Sequence, residues 1–294
     1  MRAEIEEAVE LLQRGDDASI ERALALLQNT VFSFSMHVCE QREDAEDTMQ
    51  EVLLKSIPHL PKLDSPKALL VWLYKVAKNR CLMSRRKSKF APLRELSLEE
   101  LMPDRSELEQ LTTAGKINPE IFAIRSEQAA LLREAVQRLP PQYRIVLVLR
   151  DMEGLTDDEV AEITGIRAGT VRVRLHRARL FVRKELMRIW KPQVRQKTPV
   201  RVHVAAERRP TRCKAMFAEL SDYLDEQLDD SLCEELERHL GDCEPCQAFL
   251  ATLKATIEQC RRSTQDCPPP QASRLREELM QKYRRASSVL RPTS

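Results

Sequence analysis

A histidine and two cysteines near the C-terminus have the spacing of metal ligands. The stretch RHLGDCEPC, residues 238–246, contains them as His239-x3-Cys243-x2-Cys246. Two thiolates at this spacing can reach one ion, and mixed Cys and His ligands favour Zn²⁺. The following residues, EPCQAFLATLKATIEQC, have a helical pattern. We therefore expect Cys246 in a first helical turn, where the helix dipole helps to hold a thiolate.

A tetrahedral site needs a fourth ligand from upstream. Cys213 opens an amphipathic segment, CKAMFAELSDYLDEQL, and a helical hairpin turning near residues 229–230 would bring the start of this helix beside the end of the next. Cys233 is the rival, but we expect it inside the second helix, where it packs. The predicted apolar stripe of the first helix is Met216, Phe217, Leu220, Leu224 and Leu228. A closed Cys3His site is structural and stabilises a small module by about 10–16 kcal/mol.

Three other interpretations of these cysteines stay open. A free CxxC pair has thioredoxin-like redox chemistry, although that chemistry needs a βαβ context that the sequence lacks. Zinc can also be purely structural, in a module that responds to no signal. Finally, Cys233, Cys260 and Cys267 can add a redox-labile or copper-responsive site.

A second pattern, which starts at Gly154, is typical of a helix-turn-helix that binds duplex DNA. In GLTDDEVAEITGIRAGTVRVRLHRAR, Thr156 and Glu159 form a capping box, and Gly165 suits a left-handed helix end. The segment from residue 167 to residue 184 has seven Lys and Arg residues and no acidic residue. The alternative is a solvated basic helix in an ordinary bundle. The buried stripe of the second helix is predicted as Val171, Leu175 and Ala178. The predicted DNA-binding residues are Arg167, Thr170, Arg172, Val173, Arg174, His176 and Arg177.

Two N-terminal segments suggest further binding surfaces. QREDAEDTMQEVLLKSI predicts a helix with Ala45, Met49, Val52, Leu53 and Ile57 on one face and Asp44, Asp47, Gln50 and Glu51 on or beside the other. ALLVWLYKVAKNRCLMSRRKSK mixes aromatic and basic residues, which suits unstacked single-stranded bases. Taken alone, the first surface can be a solvated acidic face, and Trp72 can be a core residue. The candidate single-strand-binding residues are Trp72, Tyr74, Lys75, Lys78, Asn79, Arg80, Arg85 and Arg86.

Composition predicts an all-α protein. Six glycines and 4% aromatic residues argue against a sandwich or barrel, and 32% charged residues with long helical patterns favour helices. No run of 18 apolar residues occurs and the N-terminus is an acidic amphipathic helix, so we expect a cytoplasmic protein with no membrane contact. In that compartment the eight cysteines are not expected to form a disulfide framework. The predicted segments are helical domains at 1–90 and 126–190, a linker at 91–125, a basic tether at 191–211, a metal-binding module at 212–262 and a flexible tail at 263–294 with a short helix near 273–285.

The segments REDAEDTMQEVLLKS, WLYKVAKNRCLMSRRK and LREAVQRLPPQYRIVLVLRDMEGLTDDEVAEITGIRAGTVRVRLHRAR together resemble an extracytoplasmic-function sigma factor of the sigma-70 family. The resemblance covers roughly residues 20–90 and 126–188, with the two conserved domains in order. It implies a protein that directs core RNA polymerase to promoters, contacts its clamp coiled coil and flap, and initiates transcription. The acidic helix with Asp44, Asp47, Gln50 and Glu51 would bind the clamp. The helix from Trp72 to Arg86 would capture the melted −10 element, and the helix from Thr170 to Arg179 would enter the −35 major groove. Val173 stands where the family often has a small polar residue, so the −35 preference would be unusual.

The segment around LSDYLDEQLDD and LERHLGDCEPC, about residues 213–255, resembles the zinc-binding domain of anti-sigma factors. That resemblance implies zinc bound by Cys213, His239, Cys243 and Cys246. Residues 213–246 contain eleven Asp or Glu and two Lys or Arg, and a basic tether joins them to the arginine-rich helix. We therefore predict an intramolecular contact in which the acidic module competes with DNA phosphates and regulates the sigma domains in response to metal, redox or another signal. The opposite effect, in which the sigma domains need the module for activity, stays open.

A one-component metal- or redox-sensing helix-turn-helix regulator is the alternative function. It would bind duplex DNA without core polymerase and would give the Trp72 helix no role. An enzyme is not indicated, because the sequence has no carboxylate pair, no nucleophile–base set and no open three-ligand metal site with a general base.

Overall fold

The computed structural model describes residues 3–39, 41–60, 65–85, 95–103, 107, 125–194, 211–263 and 273–290. Side chains are described in these ranges except at 83–85, 125–128, 189–194, 211–215, 218, 273–274 and 287–290. Every regular element in the described ranges is helical, which confirms the all-α prediction. The helices are α1 Ala3–Arg14, α2 Asp17–Val38, α3 Arg42–Ser56, α4 Pro66–Arg85, α5 Leu98–Leu101, α6 Arg125–Gln137, α7 Pro141–Leu147 with a π-helical turn Val148–Met152, α8 Asp157–Thr164, α9 Ala168–Val194, α10 Thr211–Leu224, α11 Asp230–Asp242, α12 Glu244–Arg262 and α13 Ser273–Leu290.

The chain forms two compact units that are interleaved along the sequence. The first contains Met1–Leu93, Arg144–Val171 and Thr264–Ser294, and the second contains Arg94–Tyr143 and Arg172–Ser263. Unit boundaries therefore fall inside the segment 126–190, which is predicted from the sequence to be one domain. The long helix α9 begins in the first unit and continues in the second.

In the first unit, α1 to α4 pack around an aliphatic and aromatic core. The side chain of Asp16 caps α2 by accepting a hydrogen bond from the Ser19 backbone N–H at 2.9 Å. Such a cap satisfies one of the donors that every helix leaves free at its start. The predicted core face of α3 is buried as a whole, since Ala45, Met49, Val52, Leu53 and Ile57 are each at most 2% exposed.

The C-terminal helix α13 belongs to this first unit and is longer than the predicted helix at 273–285. It packs against α2 and α3. Leu275, Leu279 and Tyr283 form its buried stripe, and Arg284 makes an ion pair with Asp17 at 2.8 Å. This part of the predicted flexible tail is therefore a docked helix.

The second unit includes the later turns of α9 and the helices α10 to α12. Phe217 on α10 packs edge-on against Phe249 on α12, with ring centroids 4.7 Å apart. Asp229 starts α11 by accepting a hydrogen bond from the Leu232 backbone N–H at 3.0 Å, so a helix begins where the sequence predicts a turn. In contrast, α9 runs to Val194, four residues into the predicted tether at 191–211. No helix in the described part of the chain is long and apolar enough to span a membrane.

Candidate nucleic-acid interface and metal centre

The junction between α11 and α12 brings three predicted metal ligands together. The ligand atoms of His239, Cys243 and Cys246 all lie within 4.8 Å of one another. The Nε2 atom of His239 is 3.3 Å from Sγ of Cys246, and Cys246 is only 3% exposed. Bond lengths of about 2.0–2.3 Å place the ligands of tetrahedral zinc roughly 3.5 Å apart, so one nitrogen and two sulfurs at this spacing fit Zn²⁺.

The local backbone explains why the two cysteines converge. Cys243 lies between the helices, and its carbonyl oxygen accepts hydrogen bonds from the backbone N–H groups of Cys246 and Gln247, both at 3.1 Å. This turn starts α12 and places Cys246 in its first turn, as predicted. The side-chain amide of Gln247 also donates to the Leu240 carbonyl oxygen near the end of α11.

The remaining cysteines of the C-terminal module lie outside this cluster or outside the described residues. The backbone of Cys213 is in the first turn of α10, but its side chain is among those not described. Cys233 lies in the first turn of α11 and not inside the helix as expected, and neither it nor the buried Cys260 joins the cluster found among the described residues. Burial, followed by the charge of Glu237, raises the pKa of the Cys233 thiol. Cys267 lies outside the described residues.

The helix-turn-helix has the predicted local geometry. Thr156 Oγ1 accepts from the Glu159 backbone N–H at 3.3 Å, and Glu159 Oε2 accepts from the Thr156 backbone N–H at 2.9 Å. Gly165 ends α8 in the left-handed region with φ of 74°. A side chain is strained in that conformation, so glycine suits this position. The predicted stripe of Val171, Leu175 and Ala178 is buried.

Most of the predicted −35 side chains are accessible on the first turns of α9. Arg167, Thr170, Arg172 and Val173 are exposed, while Arg174 and Arg177 are half-buried. Val173 is 51% exposed. Its methyl groups suit contact with a thymine methyl in a major groove.

His176 is the exception among the predicted −35 residues, because it is buried in the second unit. Its Nδ1 atom lies 2.8 Å from Ser221 Oγ on α10. Burial, followed by the charges of Arg179 and Arg177, lowers the pKa of His176 to about 4. The imidazole is therefore neutral near pH 7.

Two arginines that sequence reasoning missed extend the same contact. Arg179 binds Asp225 through two hydrogen bonds of 2.7 and 3.0 Å, and both side chains are at least 95% buried. Arg183 donates to Thr252 Oγ1 at 2.7 Å, and its guanidinium lies 3.7 Å from the Phe249 ring centroid. Burial lowers the pKa of Arg183 to about 9. The available signal was the helical spacing of residues 172, 176, 179 and 183, which places them on one face of α9.

The predicted −10 residues on α4 divide into accessible and engaged side chains. Lys75 and Asn79 are exposed, and Trp72 is half-buried with its ring 5.3 Å from that of His59. Tyr74 is fully buried and donates to the Glu153 carboxylate, so it cannot stack on a base in this conformation. The other engaged residues are Lys78, which donates to the Ile163 carbonyl oxygen at 2.7 Å, and Arg80, which is 2.7 Å from Glu51. The Arg85 side chain and Arg86 lie outside the described part.

On α3, the predicted polymerase-binding residues Asp47 and Gln50 are exposed, while Asp44 and Glu51 are half-buried. Glu51 also pairs with Lys55 at 2.6 Å. The hydrogen bond from Lys55 is the main cause of the lowered pKa of Glu51. Burial raises this pKa, and the charge of Arg80 lowers it further.

The structure contains a disulfide that was not expected. Cys39 ends α2 and Cys81 lies on α4, and their sulfurs are bonded with Cα atoms 5.6 Å apart. Both residues are buried, and Thr48 Oγ1 on α3 lies 3.8 Å from each sulfur. The sequence argued against a disulfide framework and did not predict this single bond. Because the two cysteines are 42 residues apart, no local sequence pattern indicated that they would form a bond.

Three family models match the chain. Sigma-70 region 2 matches residues 24–90, sigma-70 region 4 matches residues 129–182, and a zinc-finger family matches residues 213–247. The chain thus carries both sigma-70 regions in order and matches the extracytoplasmic-function sigma factors. It carries the zinc-finger segment as a C-terminal addition to the two sigma regions.

Curated relatives of the chain agree with that match. It is 25% identical over 186 residues to the ECF RNA polymerase sigma factor SigW of Bacillus subtilis, a match that covers 63% of this chain and 98% of the relative. It is 27% identical over 185 residues to the RNA polymerase sigma-H factor of Pseudomonas aeruginosa, covering 62% and 93%. It is also 27% identical over 179 residues to the ECF RNA polymerase sigma-E factor of Escherichia coli K12, covering 58% and 88%.

Proposed function

We propose that this sigma factor directs core RNA polymerase to promoters and that its C-terminal module, residues 212–262, masks the −35 recognition helix in cis. In this function, α3 binds the polymerase clamp, α4 captures the melted −10 element, and the first turns of α9 bind the −35 duplex. Sigma factors are transcription initiation factors, and we assign this one no catalytic residues. The one-component regulator is not favoured, because it gives region 2 no role.

The buried pair of Arg179 and Asp225 carries the masking proposal. Asp225 immediately follows α10, so the pair ties the acidic module to the basic helix. Arg261 on α12 lies 3.7 Å from the same carboxylate and adds a second positive charge. Loss of one partner would leave the other charge buried and uncompensated, so a substitution of either residue should destabilise the masked arrangement.

The position of the module along α9 explains how it would exclude DNA. His176, Arg179 and Arg183 continue the face of α9 that begins with Arg172, at intervals of one helical turn. The major groove is about 12 Å wide and admits one helix, which itself has a diameter of about 10–12 Å. A duplex that approaches Arg172 and Val173 therefore meets α10 on the same face. DNA binding would require the module to move away.

Zinc would hold the module in the shape that makes these contacts. His239, Cys243 and Cys246 join the end of α11 to the start of α12, and we assign Cys213 as the fourth ligand. Cys213 and Cys246 each precede one partner of the Phe217–Phe249 contact by about one turn, which supports that assignment. When bound, the ion supplies a structural cross-link that stabilises folding, and a change in its ligands would loosen the mask.

Run-off transcription with purified core polymerase tests this function. We compare the full chain with Asp225→Asn, which weakens the ion pair, and with Glu234→Gln, an exposed carboxylate on α11 that controls for the loss of one charge. We expect more promoter-directed transcript from Asp225→Asn and no change from Glu234→Gln. Lower activity of Asp225→Asn would show that the module activates and would reject masking. Duplex binding without any polymerase-dependent transcript would instead support the one-component regulator.

A further inference from the structure

We propose that region 4 of this sigma factor also closes on its own −10 helix, so that α4 and α8 form a latch that must open before the two promoter elements can be bound. This inference rests on the proposed sigma function and concerns contacts within the first compact unit. It assigns part of the inhibition to the sigma regions themselves and not to the zinc-binding module.

The latch consists of reciprocal contacts at helix ends. Lys78 on α4 donates to the carbonyl oxygen of Ile163, the second-last residue of α8, at 2.7 Å. Arg144 on α7 donates to the carbonyl oxygen of Val38, the last residue of α2, at 3.1 Å. The last carbonyl groups of a helix lack intrahelical partners and carry partial negative charge, so a cation stabilises them. Each sigma region thus supplies a cation that caps a helix of the other.

A buried polar contact lies beside these caps. The Tyr74 hydroxyl donates to the Glu153 carboxylate, and both residues are at least 96% buried. Tyr74 also packs on Phe34, with ring centroids 4.6 Å apart. At the edge of the same surface, Lys67 lies 3.9 Å from Glu159 on α8. Lys78 is half-buried, and burial, followed by the charge of Lys75, lowers its pKa.

The spacing of the promoter elements makes this arrangement incompatible with simultaneous binding. Elements centred near −10 and −35 are about 25 base pairs apart, or roughly 85 Å along straight B-DNA at about 3.4 Å per pair. The first turns of α9 follow α8 directly, so a −35-bound helix-turn-helix carries α8 away from a −10-bound α4. A hydrogen bond of 2.7 Å between Lys78 and Ile163 cannot persist across that distance. The closed latch therefore belongs to the protein before promoter binding.

Glu153→Ala tests the latch because it removes the acceptor of the Tyr74 hydroxyl without changing a predicted DNA-binding residue. Asp158→Ala is the matched control, since Asp158 is an exposed carboxylate in the first turn of α8. We follow hydrogen exchange of α4 and α8 in the full chain and run-off transcription with core polymerase. Loss of this buried hydrogen bond should raise the open-to-closed ratio about fivefold or more. We expect faster exchange and more transcript for Glu153→Ala and neither change for Asp158→Ala.

A second measurement uses the unsubstituted chain and does not depend on how a variant folds. Exchange at the last turn of α8 should increase when core polymerase and promoter DNA are added. Unchanged protection there in a transcribing complex would overturn the latch, as would a Glu153→Ala protein whose α4 exchanges faster without producing more transcript. Absence of transcript with core polymerase from the unsubstituted chain and from Asp225→Asn alike would reject the proposed function itself. Activation by Asp225→Asn but not by Glu153→Ala would reject the latch alone.

Discussion

Arg179 and Asp225 lie 46 residues apart in the sequence and form a two-point ion pair in the folded protein, with N–O distances of 2.7 and 3.0 Å. Arg179 would otherwise be one more cation on a DNA-binding helix. Its pairing joins α9 to the segment that carries the candidate metal ligands, and both lie in the second unit.

A double-mutant cycle should show strong coupling between these two residues. Arg179→Met and Asp225→Leu each leave a buried charge with fewer partners, and each should destabilise the second unit by about 3–5 kcal/mol. The double variant replaces the pair by apolar side chains and should recover most of that loss. Hydrogen exchange at α9 and α10 in urea measures the free energy of opening. Additive losses in the double variant would show that the pair contributes no coupling.

The stability of the second unit should fall as the pH is lowered from 7 to 5. The pKa of His176 is lowered to about 4 in the folded protein from 6.5, chiefly by burial. Between these values the unfolded chain binds the proton and the folded chain does not, so acid favours unfolding, by about 2 kcal/mol at pH 5 relative to pH 7. Urea unfolding at several pH values measures this loss. His176→Gln keeps a hydrogen-bonding group beside Ser221 but does not titrate, and an equally steep pH dependence in that variant would exclude His176 as the cause.

Removing the metal should unfold the C-terminal module while leaving the first unit folded. His239, Cys243 and Cys246 join two helix ends, and structural zinc contributes about 10–16 kcal/mol to the folding of such modules. We expect one zinc per chain by elemental analysis and loss of hydrogen-exchange protection in α11 and α12 after chelation. Cys246→Ser should lose the ion, whereas Cys233→Ser should retain it. Zinc loss from Cys233→Ser would show that the ligand set differs from the one assigned.

Reduction of the Cys39–Cys81 disulfide should destabilise the first unit. The bond closes a loop over a separation of 42 residues, and the chain-entropy relation gives about 4 kcal/mol for a loop of this size. Thermal unfolding with and without a thiol reductant measures the effect, and intact mass checks for the loss of two hydrogens in the unreduced protein. The Cys39→Ser/Cys81→Ser variant should unfold at the same temperature under both conditions. A reductant effect that persists in this variant would assign the sensitivity to other cysteines.

Features that depend on neighbouring residues were predictable from the sequence. The capping box of Thr156 and Glu159, the left-handed Gly165 and the turn from Cys243 to Cys246 each involve side chains within four residues of one another. Helical periodicity likewise identified the buried faces of α3 and α9. Such patterns act through local backbone geometry, so a single sequence contains the information they need.

Tertiary structure alone decided which charged and polar side chains are held in contacts within the protein. Composition indicated that an acidic module could meet a basic helix, but it did not select Asp225 for Arg179 or bury His176 against Ser221. Likewise, the mixture of aromatic and basic residues on α4 did not indicate that Tyr74 would contact Glu153, 79 residues away. Nothing in the sequence indicated that Cys81 would bond to Cys39. These pairings depend on which helix surfaces become buried against each other when helices that are distant in the sequence pack. The sequence therefore determined the sigma regions and the metal-ligand spacing, and the packing of the helices decided which of their binding residues are accessible.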